Sequence, residues 1–158
     1  MSETLASPVL ACVGVGGNLG DAQATVRQAL ADLARLPHSR LLKASSLYCS
    51  APVDAGGPDF INAVVLLQTR LAPLPLLHAL QALEQAAGRE RPYRNAPRTL
   101  DLDLLSHGEV RLDTAELTLP HPRMRQRAFV LLPLAEVWPE QVPAADLAAV
   151  ADQAISRL

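Results

Sequence analysis

A chain of 158 residues, 49% hydrophobic and 19% charged, has enough apolar surface for a buried core and too little charge for a disordered segment, so one domain is expected over residues 1–158. No apolar run reaches the ~18 residues of a membrane span, the start MSETLASPVL lacks a basic segment followed by a long apolar one, and Cys12 and Cys49 are too few for a disulfide framework; a cytoplasmic protein with no membrane partner is expected. The formal charge of −2 argues against affinity built on blanketing a nucleic-acid backbone.

Residues 8–16 (PVLACVGVG) are β-branched and end in glycines, which predicts a buried strand turning at Gly16-Gly17-Asn18-Leu19-Gly20. Leu19 stands where the third glycine of a dinucleotide-binding GxGxxG would fall, so these glycines are read as a tight strand-to-helix turn. Asp21 then caps a helix with Val26, Ala29, Leu30 and Leu33 on its apolar face, stopped by Pro37. Residues 40–48 and 60–69 read as strands around the loop CSAPVDAGGPD, and Leu76, Leu77, Leu80, Leu83 and Ala87 mark a second helix closed by Gly88. After the polar stretch 89–97 come a strand at 98–106, a turn at His107-Gly108-Glu109 and a short return strand at 110–112. Helices are expected at about 123–132 and 144–158, the latter striped by Leu147, Val150, Ala154 and Ile155. The order βαββαβ plus a helical region predicts an α+β sandwich, a mainly antiparallel sheet with helices packed on it, and loops 49–59 and 88–97 are candidate lids.

The positive charge is local. Of 13 arginines, Arg89, Arg91, Arg94 and Arg98 fall within ten residues, and Arg123, Arg125 and Arg127 within five, whereas lysine occurs once, as Lys43. Clustered guanidinium forks suit phosphate, though charge also collects on solvated loops. On a strand at 98–106, Asp101 and Asp103 share one face, roughly 7 Å apart, while Leu100, Leu102 and Leu104 fill the other. Two carboxylates on an apolar strand need cationic neutralisation: either Mg²⁺ joined to substrate phosphates, or ion pairs with arginines and water. Phe60 and Asn62 also share a face and fit a flat heterocycle stacked on the ring and read by the carboxamide, or simply core. His121, in the proline-stiffened Leu119-Pro120-His121-Pro122, can serve a phosphate oxygen or a structural hydrogen bond.

Taken in order, Gly17-Asn18-Leu19-Gly20-Asp21, Phe60-Ile61-Asn62-Ala63, Gly88-Arg89-Glu90-Arg91, Pro97-Arg98-Thr99-Leu100-Asp101-Leu102-Asp103 and Leu119-Pro120-His121-Pro122 resemble the 6-hydroxymethyl-7,8-dihydropterin pyrophosphokinases of folate biosynthesis. The resemblance implies a ferredoxin-like α+β fold and transfer of the β,γ-pyrophosphoryl group of ATP to a pterin hydroxymethyl group, with release of AMP. It implies that Asp101 and Asp103 bind two Mg²⁺ ions, with Asp101 near the attacking hydroxyl, that Arg89 and Arg98 clamp the transferring group, and that Arg91 sits on a mobile lid. His121 and Arg127 correspond to further triphosphate contacts, and Gln81, Glu84, Leu104 and Thr118 to the surroundings of the nucleotide. The pterin would lie between Phe60 and Phe129, its edge read by Asn62 and by backbone near Ser50 and Val53. Asn95-Ala96 stands where members commonly carry Trp-Gly, so Tyr93 or backbone contacts are expected to help hold a closed lid. Pro122 replaces a frequent aromatic and Glu116 a frequent basic residue.

Two other classes compete with this one. An RNA-binding module would need exposed aromatics on adjacent strands and a basic face, and the chain has five aromatics and net negative charge. A non-catalytic ligand sensor of the same architecture needs no Asp-x-Asp pair. The expectation is therefore a monomeric enzyme whose partners are small molecules, ATP and the pterin, with no nucleic acid.

Overall fold

The computed structural model describes residues 5, 7–51, 58–88 and 99–158. Within them, β1 (Val9–Gly17), β3 (Tyr48–Ser50), β4 (Phe60–Thr69), β5 (Asp101–His107) and β8 (Ile155–Arg157) form an antiparallel sheet in the order β5-β1-β4-β3-β8, and β2 (Ser39–Ala44) pairs with the far end of β4. The expected α+β sandwich is what is observed.

Strand β4 explains the layering. Positions 61–67 are all buried, because helices cover both faces of this central strand. Ile61, Ala63, Val65 and Leu67 join one core with Val13, Val15, Leu102 and Leu104 under α1 (Ala22–Leu33) and α2 (Pro73–Ala87). Val64 and Leu66 join a second core with Cys12 and Leu105 under α3 (Ala128–Val137). Helix α1 begins where Asp21 accepts the Ala24 N–H at 3.1 Å and buries Val26, Ala29 and Leu33; α2 begins with Pro73, whose missing N–H costs nothing in a first turn, and buries Leu76, Leu77 and Leu80.

Several sequence expectations are corrected. The strand expected over 40–48 is split into β2 and β3, because Ser45 leaves the ladder: its N–H donates to Val64 O at 2.9 Å and its hydroxyl accepts the Val64 N–H at 3.0 Å. The short strand after Gly108 is β6 (Leu112–Asp113), which pairs with β7 (Thr118–Leu119) rather than returning along β5. The helix expected over 123–132 breaks at Arg127 (φ −122°, ψ 116°), between a 3-10 turn at Met124–Gln126 and α3. The terminal helix stops early: α4 covers Ala144–Ala149, and Ile155–Arg157 become β8 on the edge of β3. Helical spacing in that segment loses to a free strand edge, which offers backbone partners that a short exposed helix end lacks.

Helix α3 is fastened to the sheet by Glu136, whose carboxylate accepts from Ser46 N–H (3.0 Å), Ser46 Oγ (2.8 Å) and Tyr48 OH (3.0 Å) and lies 3.6 Å from Arg157. Burial alone would raise the Glu136 pKa, but these bonds and the Arg157 charge outweigh it and hold the carboxyl below its ordinary value of 4.5. A depressed folded-state pKa contributes stability that is full above the unfolded value and is lost as pH falls through the folded one. Glu136→Gln is therefore expected to lower the melting temperature at pH 7 and to flatten its decline below about pH 4.5; thermal melts across pH check this, and parallel pH profiles would count against it.

Candidate active site

The second face of the sheet is only half covered. Along β1, β4 and β5, residues toward one end are apolar and lie under α3 (Cys12; Val64 and Leu66; Leu105). Toward the other end the same face carries Gly14 and Gly16, Phe60 and Asn62, and Asp101 and Asp103, and here a cleft of about 680 Å³ opens. Such a volume suits a small-molecule ligand.

Pairing places these residues in rows. Asp101 lies opposite Gly16, which lies opposite Asn62 on its other side; Asp103 lies opposite Gly14. The expectation that Asp101 and Asp103 share a face opposite Leu100, Leu102 and Leu104 agrees with the structure: both carboxylates line the cleft and the three leucines are at most 5% exposed in the other core. Leu102, between the aspartates, has its N–H taken by Glu84 Oε2 of α2 at 2.7 Å.

The glycines need a different account from the one expected. Gly14 lies within β1 as expected, but Gly16 and Gly17 lie there too rather than in the turn, and Gly20 (φ +59°) alone of the glycines in that stretch has the left-handed backbone. Gly16 makes room: a Cβ there would come within 3.3 Å of Asn62 Oδ1. The carboxamide rests over that glycine and donates from Nδ2 to Ser50 Oγ at 2.7 Å. Asn62 and Ser50 are buried, and Phe60 is half-buried beside them.

The facing wall comes from the break between the 3-10 turn and α3. Arg127 and Phe129 both line the cleft, with the Arg127 guanidinium 5.3 Å from the centre of the Phe129 ring, close enough for cation–π attraction. Arg123, Gln126, Gln153 and Ile155 also line it. Arg123 belongs to the second arginine cluster singled out in the sequence, whereas sequence reasoning missed Gln126, Gln153 and Ile155 as lining residues, together with Gly14 and Gly16. The alternation Gly14-x-Gly16 inside a strand pattern is itself a signal of close backbone approach, whereas nothing in the sequence points to Gln153, which arrives through the β8 pairing.

His121 lies outside the cleft lining and is half-buried. Its Nδ1 accepts the Arg123 N–H at 3.2 Å, so a neutral ring carries its proton on Nε2 and can donate there. Burial, then the charge of Arg127, with Arg123 adding to it, holds its pKa below 6.5 against the opposing pull of Asp101, so the ring is neutral at pH 7. Thr118 is in β7, Gln81 is exposed on α2, and Leu104 has its side chain in the α1/α2 core, facing away from the two aspartates. Glu116 pairs with His78 of α2 at 2.7 Å. Val53, Arg89, Arg91, Tyr93, Arg94, Asn95 and Arg98, and most of both expected lids, lie outside the described residues.

The fold is shared with solved structures. A Plasmodium falciparum HPPK-DHPS chain, solved with pterin and p-hydroxybenzoate, superposes with a TM-score of 0.67 over 88% of this chain at 14% identity; the present chain spans 41% of that one, and the likeness is one of fold. The profile of the HPPK family, 7,8-dihydro-6-hydroxymethylpterin-pyrophosphokinase, matches residues 12–139, and the chain belongs to that family. Its relatives include the 2-amino-4-hydroxy-6-hydroxymethyldihydropteridine pyrophosphokinases of Pseudomonas aeruginosa (49% identical, covering 81% of this chain and 80% of the relative) and Bacillus subtilis (39% identical, 91% and 86%). The family reaction is pyrophosphoryl transfer to hydroxymethyldihydropterin in folate biosynthesis.

Proposed function

We propose that the cleft holds 6-hydroxymethyl-7,8-dihydropterin between Phe60 and Phe129 and passes to it the pyrophosphoryl group of ATP. The observation that carries this reading is the register that sets Asp101 and Asp103 across from Gly16 and Gly14, in line with Asn62 and beside Phe60. One continuous surface thus presents an aromatic ring, a carboxamide and two carboxylates, with Gly16 giving the carboxamide the room it occupies.

The donor set fits Mg²⁺. Among the described residues no cluster of three or more His, Cys, Asp or Glu side chains could form an all-protein metal cage, while two carboxylates on one face match the way Mg²⁺ is held, by one or two protein carboxylates plus substrate phosphates. Asp101 and Asp103 would hold two such ions, which when bound neutralise the triphosphate. Asn62 orients the heterocycle by its edge, its own rotamer fixed by Ser50 and by the space over Gly16. Arg127, held against Phe129, brings positive charge to the junction of ring and carboxylates. His121 contributes a neutral donor at Nε2. The pterin hydroxyl oxygen forms a bond to the β-phosphorus as the bond to the α-phosphate oxygen breaks; AMP takes the electron pair, and the hydroxyl proton leaves beside Asp101. Arg89, Arg91 and Arg98, near in sequence to Asp101, complete the clamp on the triphosphate in this reading.

Both cysteines are free thiols, in keeping with a reducing, cytoplasmic setting. Among the described residues no helix is long and apolar enough to cross a membrane. The deciding experiment is Mg²⁺-dependent AMP release from ATP, measured with and without the pterin; release that ignores either the pterin or the metal would sink the assignment. Stacking contributes roughly 0.5–1.5 kcal/mol per aromatic contact beyond burial. Phe60→Ala is accordingly expected to weaken pterin binding by about tenfold and to leave nucleotide binding nearly intact. Calorimetry with each ligand checks it, and an equal loss of both would assign Phe60 to the core.

A further inference from the structure

The backbone on either side of Arg127 is held by a single side chain from the far C-terminus. Gln153 Oε1 accepts the Ala128 N–H at 2.8 Å, and Gln153 Nε2 donates to Gln126 O at 2.8 Å. One carboxamide thus grips the two peptide groups flanking Arg127, as a neighbouring strand would, and holds that residue extended between the 3-10 turn and α3. Ala128 is 2% exposed, so its N–H, at the start of α3 where no helical acceptor exists, has little access to water as a substitute. Nothing else in the capping of α3 replaces this bond: Arg127, its N-cap, makes no side-chain cap.

The segment bearing Gln153, which itself lines the cleft, is anchored to the sheet edge by backbone bonds. Strand β8 pairs with β3, the Ala51 N–H donates to Ala154 O at 3.4 Å, the Leu158 N–H donates to Leu47 O at 2.9 Å, and Arg157 lies 3.6 Å from Glu136 near the other end of α3. The sheet edge that carries Ser50 and, through β4, Phe60 is therefore tied directly to the wall that carries Arg127 and Phe129. Gln153 lies beyond residues 12–139, the part of the chain matched by the family profile.

We infer that Gln153 is a positioning residue, which sets the gap between Phe60 and Phe129 and the place of Arg127 by holding the backbone at Gln126 and Ala128. This inference rests on the cleft being the pterin site. It acts through backbone alone and touches neither reacting group.

The test compares the full chain with Gln153→Leu, which removes both hydrogen bonds, Gln153→Glu, which keeps the acceptor for Ala128 N–H and loses the donor to Gln126 O, and the exposed neighbour Asp152→Ala. Amide hydrogen exchange at Ala128–Val130 reads the wall directly, and calorimetry with the pterin, in the presence of a non-hydrolysable ATP analogue and Mg²⁺, reads the slot. Expected are faster exchange at Ala128 and Phe129 in Gln153→Leu with Leu134–Val137 unchanged, a pterin Kd raised by about tenfold or more, an intermediate Kd in Gln153→Glu, and parent behaviour in Asp152→Ala. Loosened exchange with a parent-like pterin Kd, or unchanged exchange, overturns the assignment while leaving the site reading intact. A parent chain that binds ATP analogue but no pterin overturns the reading of the cleft, and the assignment with it.

Discussion

Replacing Asp101 or Asp103 with alanine is expected to reduce Mg²⁺-dependent turnover by on the order of a hundredfold to a thousandfold, the usual cost of removing one group that stabilises charge at the reacting centre. Folding stability should change far less. Both side chains lie half-buried on the uncovered part of the sheet face, and the leucines that alternate with them, in the opposite core, are untouched by either change. Turnover at saturating substrates, alongside chemical denaturation, separates the two effects. Parent-like turnover in both variants would leave the metal and phosphate assignment without support.

The second large effect is expected at a residue that touches no ligand. A Cβ on Gly17 would stand 2.6 Å from the carbonyl oxygen of Thr99, a backbone atom two residues before Asp101. Neither rotamer change nor side-chain motion relieves that contact, so Gly17→Ala must push the end of β1 away from the entry to β5. The expected loss of stability is about 1–3 kcal/mol, the range for forced overpacking. Activity should fall further than stability alone dictates, because the displaced backbone carries Asp101 out of line with Gly16 and Asn62. Gly14→Ala is the stability control: its added Cβ would meet the Leu105 side chain at 3.6 Å, an ordinary contact. Urea denaturation of the two variants decides this, and equal stabilities would show that the Thr99 segment yields without strain.

Much of the chemistry was readable in the residues because it depends on spacing along one strand. The alternation Asp101-Leu102-Asp103-Leu104 places carboxylates and leucines on opposite faces of any extended segment, whatever lies beside it, and the pair Phe60 and Asn62 follows the same rule. The apolar faces of α1 and α2 were legible for a similar reason: the burial of Val26, Ala29 and Leu33, and of Leu76, Leu77 and Leu80, follows from helical periodicity. Gly16 and Gly17 were visible but misassigned to the turn. A glycine's local signal does not say whether it supplies a left-handed backbone or simply the absence of a side chain, and only the neighbouring strands decide that.

What the sequence determined by itself, then, is everything fixed by a short local signal: which faces are apolar, where the first helix begins at Asp21, and which polar side chains travel together on β4 and β5. What the tertiary structure decided is everything that depends on a partner far along the chain. The register of β1 between β4 and β5 joins two separate pairs of residues into one cleft, and Ser45 interrupts a strand because Val64 offers it both a donor and an acceptor. The last residues leave a helical pattern for β8 because the edge of β3 supplies backbone partners, and in doing so they deliver Gln153 to the wall of the cleft. Periodicity is a property of consecutive residues, whereas register, strand edges and long-range hydrogen bonds are fixed by competition among all the segments of the folded chain.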